Sequence, residues 1–253
     1  MYRYKLTIEY HGGFFCGWQR QKDAPSVQQT IEEALQPLLL KNDAQAVLHC
    51  AGRTDTGVHA LAQVAHVDLS RNMDGYKLLK ALNYYLKEAR VKIIVCKNLG
   101  LASETDFHAR FSCIERAYEY RIVNRLSPLA IAHGLAWQVD YDLDAQEMHE
   151  AAQYLIGKHD LTSFRAAGCQ ANSPIRTIDE VSVMRQKDEV IFSIRAQSFL
   201  YHQVRNIVGS LVLVGKGKWT AADFTKVLQA KDRTLAGPTA PAEGLYFVRA
   251  KYN

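Results

Sequence analysis

Apolar residues along this chain recur with two periods, every second position in some stretches and every third or fourth in others. Tyr4, Leu6, Ile8 and Tyr10 alternate and predict a strand over residues 4–10. A glycine-rich aromatic loop, His11 to Arg20, follows. Ser26 with Gln29 three residues on has the form of a capping box, opening a helix with the stripe Val27, Ile31, Leu35 and Leu38. Pro37 should end or kink that helix. Strands are predicted over 45–51 and 63–69, a helix near 76–86, and an apolar strand over 91–96.

The text becomes irregular around 99–105, which places the division between an N-terminal half, 1–103, and a C-terminal half, 104–253. The second half opens on the loop Asp106-Phe-His-Ala-Arg-Phe111 and a strand over 116–123 in which Tyr118, Tyr120 and Ile122 alternate. Asp144 with Glu147 starts a helix with the stripe Met148, Ala151, Ala152 and Leu155, and Gly157 ends it. Strands over 177–185 and 189–198, a long helix over 201–214, a shorter helix capped by Thr220 and a strand over 245–250 complete the chain. Strands and helices are mixed within each half without strict alternation. The expected class is α+β: two similar α/β-sandwich halves contributing to a largely antiparallel sheet with helices on one face.

Candidate chemistry concentrates between two of these strands, in Cys50-Ala-Gly-Arg-Thr-Asp-Thr-Gly-Val-His-Ala60. Gly52 and Gly57 give backbone freedom at either side of one carboxylate (Asp55), one cation (Arg53) and two hydroxyls. A lone carboxylate at a strand exit suits catalysis; a hairpin whose Asp55 bonds its own backbone is the plain alternative. A second signal is Arg205, in a helix apolar around most of its circumference. A guanidinium there needs an anion and acceptors, and Asp55 is one candidate partner, a structural ion pair elsewhere another. Gly215-Lys-Gly-Lys follows a helix instead of opening one, so it is a helix stop and not a phosphate loop.

Composition narrows the class. At 253 residues and 48% apolar content the chain should be globular, and no apolar run approaches the ~18 residues of a membrane span. A strand at the very N-terminus leaves no room for a signal peptide, so the expectation is a cytoplasmic protein without a membrane partner. Five scattered cysteines with no Cys-x-x-Cys, and nine histidines with no ligand spacing, argue against disulfides and metal. The net charge of +5 permits a polyanionic partner, and Arg20, Lys22, Arg110, Arg165 and Arg176 are candidates to track one.

Gly52-Arg-Thr-Asp-Thr-Gly-Val-His59 resembles the signature of the TruA family, the tRNA pseudouridine synthases A. The likeness continues through Gly17-Trp-Gln-Arg20, Asp106-Phe-His-Ala-Arg-Phe111, Thr162-Ser-Phe-Arg165, Val204-Arg-Asn-Ile-Val-Gly209 and Ala242-Glu-Gly-Leu245, across the whole chain. Lys87 departs from the family's usual proline, Gln203 from its frequent methionine, and Pro37 interrupts an early helix. The resemblance implies a cofactor-independent isomerase that detaches uracil at N1, turns it and rejoins it through C5. It implies tRNA as partner, at positions thirty-eight to forty of the anticodon stem-loop, bound in a cleft between the halves of a homodimeric enzyme. It also implies roles: Asp55 catalytic, Tyr118 packed on the target base, Arg205 paired with the aspartate, and Arg53 filling the space of a flipped base. Read without the family, Tyr118 is an ordinary core tyrosine and Arg53 a phosphate contact. An RNA-binding module without catalysis and a glycosidic hydrolase stand as competing functions.

Overall fold

β1 (Tyr2–Tyr10) is flanked by antiparallel neighbours on both sides, and its alternation has the predicted consequence. Tyr4, Leu6, Ile8 and Tyr10 are buried, while Arg3, Lys5 and Thr7 on the other face are only partly covered. The computed structural model describes residues 1–40 and 46–253. It divides into two units, Met1–Ile114 with Phe247–Asn253, and Glu115–Tyr246. Residues 104–114 group with the first unit because Arg3 Nη1 donates to Phe107 O at 2.8 Å and Ala109 N to His66 Nδ1 at 3.1 Å, and the C-terminal residues bond to them in turn. Ile114 N donates to Lys251 O at 3.0 Å, and the Tyr252 hydroxyl to Ala109 O at 2.7 Å.

In the first unit α1 (Val27–Leu35) starts at Ser26, whose hydroxyl accepts from Gln29 N. The reciprocal arm of the expected capping box is not made: the Gln29 side chain donates instead to Glu33 at 2.8 Å. Val27, Ile31 and Leu35 are fully buried, and the α-helix gives way to a 3-10 turn at Gln36–Leu38, where Pro37 sits. β2 (His49–Cys50) is much shorter than the strand expected over 45–51. Leu48 N donates to the buried Glu32 carboxylate at 3.0 Å rather than to a ladder, and Gln45 lies outside the described residues. β3 (His59–Leu69) begins four residues early; α2 (Gly75–Tyr85), capped by Asp74, and β4 (Val91–Leu101) complete the unit. The strand order is β4-β1-β3, with β2 on β3.

The second unit holds β5 (Glu115–Asn124), β6 (Trp137–Val139), α3 (Ala145–Gln153), β7 (Gly157–Asp160), β8 (Ile175–Gln186), β9 (Glu189–Ala196), α4 (Gln203–Gly215) and α5 (Ala221–Ala230). β10 (Leu245–Lys251) leads out of it. The order is β5-β9-β8-β7, antiparallel throughout, with β6 parallel to β5. One face is apolar: Val190, Phe192, Ile194 and Ala196 of β9 are buried, as are Ile178, Val181 and Val183 of β8. The α3 stripe Met148, Ala151, Ala152 and Leu155 is fully buried too. Burying one such large apolar side chain stabilises by about 1.5–3 kcal/mol before entropy is counted. The result is the expected α+β class with a largely antiparallel sheet. The short strands β6 and β7 were not foreseen: Trp137–Val139 is too brief to show a period, and Gly157–Asp160 carries no apolar residue.

Candidate active site

The segment 51–58 runs from β2 into β3, and hydrogen bonds from β3 and from the loop after β1 fix its backbone. Ala51 N donates to Val64 O at 2.8 Å, Gln63 Nε2 to Gly52 O at 2.7 Å, and Trp18 N to Thr54 O at 3.0 Å. Gly17, at φ +98°, makes the last contact possible, since a Cβ there would stand 2.7 Å from Thr54 O. Val58 N donates to Asp55 O at 3.1 Å, closing a turn with Gly57 at φ +82°. Beyond it the buried His59 accepts from Gly12 N through Nδ1 at 3.1 Å. Thr54, Val58 and His59 are thus anchors, Arg53 and Thr56 are exposed, and Asp55 is half-buried between them.

Tyr10 is the inner anchor. Its hydroxyl shares a 2.7 Å hydrogen bond with Thr54 Oγ1 and bonds the fully buried Gln63 side chain. Burial pushes the Tyr10 phenol well above its usual value. Thr54 and Gln63 pull the other way, and the charges of Cys50 and Asp55 add to the rise. The group is therefore a permanent neutral hydrogen-bonding partner, one residue removed from Asp55 through Thr54. Sequence reasoning placed Tyr10 in the core without its hydroxyl's partner and passed over Gln63. The available signal for Gln63 was a polar residue between the apolar Ala62 and Val64.

Tyr118 and Arg205 belong to the second unit. Tyr118 stands on β5 opposite Ile194 of β9, is 9% exposed, and meets Phe199 edge-on with ring centroids 5.1 Å apart. Arg205 is half-buried in the first turn of α4, where Val204, Ile207, Val208, Leu211, Val212 and Val214 are enclosed as expected. Its Nε–H donates to Ala240 O at 2.7 Å, and Ala240 N donates back to Arg205 O at 3.1 Å. The segment carrying Ala240 is laced to the helix. Thr239 Oγ1 donates to Asn206 Oδ1 at 2.6 Å, Arg233 Nη2 to the same oxygen at 3.1 Å, and Gly237 N to Ser210 Oγ at 2.9 Å. Gly209 admits this segment, because a Cβ would fall 1.7 Å from Pro238 O. The Asn206–Arg233–Thr239 network was missed, and its three polar residues are too far apart in sequence to show a pattern.

Among the basic candidates, Arg20 is committed to the buried Glu32 at 2.9 Å, which answers its charge locally. Among the described residues no three His, Cys, Asp or Glu side chains are arranged to hold a metal ion, and no described helix is long and apolar enough to cross a membrane.

A family model described as tRNA pseudouridine synthase matches residues 151–253. A tRNA pseudouridine synthase A of Rhodospirillum centenum is 53% identical over 100% of both chains. Proteins of that name from Rhizorhabdus wittichii and Maricaulis maris are each 50% identical over 100% of this chain and 96% and 98% of theirs. The crystal structure of a Cbf5-Nop10-Gar1 complex aligns with a TM-score of 0.39 and 12% identity, over 95% of this chain and 50% of that one, a likeness too faint to define even a fold. The chain belongs to the tRNA pseudouridine synthase A family, enzymes that isomerise uridine to pseudouridine in tRNA.

Proposed function

We propose that Asp55 is the catalytic group of this isomerisation and that the target uridines are positions thirty-eight to forty of the tRNA anticodon stem-loop. The observation that carries the reading is the fixed acid loop, in which neighbours of Asp55 are anchored on both sides while Asp55 itself stays partly open. Catalysis needs a preorganised group, and this loop supplies one. The C1′–N1 bond breaks as positive charge builds on the ribose, and an ionised carboxylate stabilises or captures that centre. The base turns, the C1′–C5 bond forms, the C5 proton leaves to solvent and N1 gains a proton. Atoms balance without a cofactor.

A uridine in a stacked stem-loop has to be everted first, at a cost of a few kcal/mol. Tyr118 offsets roughly 1–3 kcal/mol of it by stacking on the base, in this reading, and the planar Arg53 cation occupies the vacated stack. Arg205 pairs with Asp55 and holds it anionic; the support is the family motif together with the rigid seat of Arg205 on α4. The enzyme acts as a cytoplasmic homodimer with tRNA lying across both subunits. The test is Asp55→Ala with unmodified tRNA. Pseudouridine should disappear while tRNA affinity stays within about threefold, since Gly52, Thr54 and His59 tie the loop to Gln63, Trp18, Tyr10 and Gly12. Turnover by the variant would overturn the assignment, and free uracil from the wild-type protein would make the chain a hydrolase.

A further inference from the structure

The loop 161–174, between β7 and β8, is closed at its stem by the pairs Asp160↔Ile175 and His159↔Arg176 and by Leu161 N donating to Pro174 O at 3.1 Å. Two arginines staple it, Arg165 from within and Arg176 from the start of β8. Arg165 Nη2 donates to Cys169 O and Ala171 O, each at 2.8 Å, and Arg176 Nη1 donates to Ser173 O at 2.9 Å and Ile175 O at 2.6 Å. All four acceptors are main-chain carbonyls, three in the loop and one at the first residue of β8, so both cations are held in place without being neutralised.

Among the described residues neither guanidinium is paired with a carboxylate. The acid at the stem, Asp160, is turned elsewhere: it accepts from Thr162 N at 3.0 Å and Thr162 Oγ1 at 2.6 Å, and Lys231 stands 3.8 Å from it. The Nε–H of Arg176 is buried with no acceptor among the described residues, a cost a solvated surface arginine would not carry. Arg176 lies below its usual pKa, chiefly through burial; Cys169 opposes the shift and the field of Arg165 adds to it. The two cations therefore sense each other. Cys169 reports the same field. Burial raises its thiol, but hydrogen bonds from Tyr201 and Ala171 together with the Arg165 side chain outweigh burial and leave it below its usual value.

Two half-buried like charges tied to carbonyls of the one stretch 169–175, with no acid to answer them, are stable only at a cost that an anion removes. We propose that Arg165 and Arg176 form a phosphodiester-binding site on the loop 161–174 that grips the backbone of the bound tRNA. Planar guanidinium edges suit phosphate oxygens, and carbonyl staples pre-pay the ordering of two long side chains. The site uses no residue of the acid loop, and it rests on the reading that the chain takes tRNA.

The test is the salt dependence of tRNA binding by wild type, Arg165→Gln/Arg176→Gln and Arg165→Lys/Arg176→Lys. Each lost phosphate contact should make the slope of log affinity against log salt shallower by about 0.7–0.9, so the Gln pair should lose about 1.4–1.8 while the Lys pair keeps most of it. An unchanged slope in the Gln pair overturns the proposal. Should that variant fail to fold, wild-type protein decides: inorganic phosphate should weaken tRNA binding more than chloride at matched ionic strength. Equal effects of the two salts overturn the site. Phosphate that binds here but is not displaced by tRNA overturns the RNA assignment in favour of a free anion. Asp55→Ala serves as the reference, because its slope should match wild type if only catalysis is lost; a shallower slope there would count against Asp55's role while leaving this site standing.

Discussion

Tyr10 holds the acid loop by one hydroxyl. A buried phenol meeting a buried threonine at 2.7 Å is worth about 0.5–1.5 kcal/mol in stability. Its larger effect is positional, since Thr54 precedes Asp55 directly. Tyr10→Phe leaves Thr54 Oγ1 and the Gln63 amide without that partner and should cost about 1–3 kcal/mol in unfolding free energy. It should also lower kcat more than tRNA affinity if Asp55 acts as proposed, because a small displacement of a catalytic group penalises the transition state first. Chemical denaturation and single-turnover assays on the purified variant would measure the two effects. Residue types in the loop could be read from the sequence, as could the buried face of β1. The tie between Tyr10 and Thr54 could not, because it spans residues 44 apart and depends on strand register.

At the scale of elements, helix α4 and the segment 236–240 behave as one piece. The Gly209 position is where they touch, and a methyl group there would overlap Pro238 O. Gly209→Ala should therefore force the segment off the helix and destabilise by about 1–3 kcal/mol or more, and on the role proposed for Arg205 it should lower activity as well. Thermal unfolding of the variant, beside Ser210→Ala as a milder perturbation of the same contact, would show it. Strong periodicity made α4 and β9 legible from the sequence. The edge strand β7 was not, because it is recruited by backbone pairing to β8 and its residues carry no apolar signal. Strand β2 failed in the opposite direction: Glu32 satisfies Leu48 N and stops the ladder, a competition no local pattern contains.

For the molecule as a whole, pH sensitivity of stability has an identifiable source. His66 is enclosed beside His49 and His108, with ring centroids 5.1 and 4.6 Å away, and its Nδ1 accepts from Ala109 N at 3.1 Å. Burial lowers its pKa to about 4, and His108, Arg3 and His49 add to the shift while Asp68 opposes it. The unfolded chain, with histidine near 6.5, takes up the proton first as pH falls. Stability from this group is therefore complete above about pH 6.5 and declines from there to about pH 4. The melting temperature should fall across that window, and the fall should be smaller in His66→Gln, as calorimetry at stepped pH would report. Composition anticipated a globular chain, whereas this cluster arises from β2, β3 and the loop 106–111 meeting in space and had no sequence signature.

Exchange of the glycosidic bond from N1 to C5 expels the hydrogen at C5 of the target uridine, so the most direct measurement is tritium release from tRNA carrying 5-tritiated uridine. Wild-type protein should release tritium in step with pseudouridine at positions thirty-eight to forty, and Asp55→Asn should release none above background. Tritium release by Asp55→Asn at a rate near wild type would contradict the role assigned to this carboxylate.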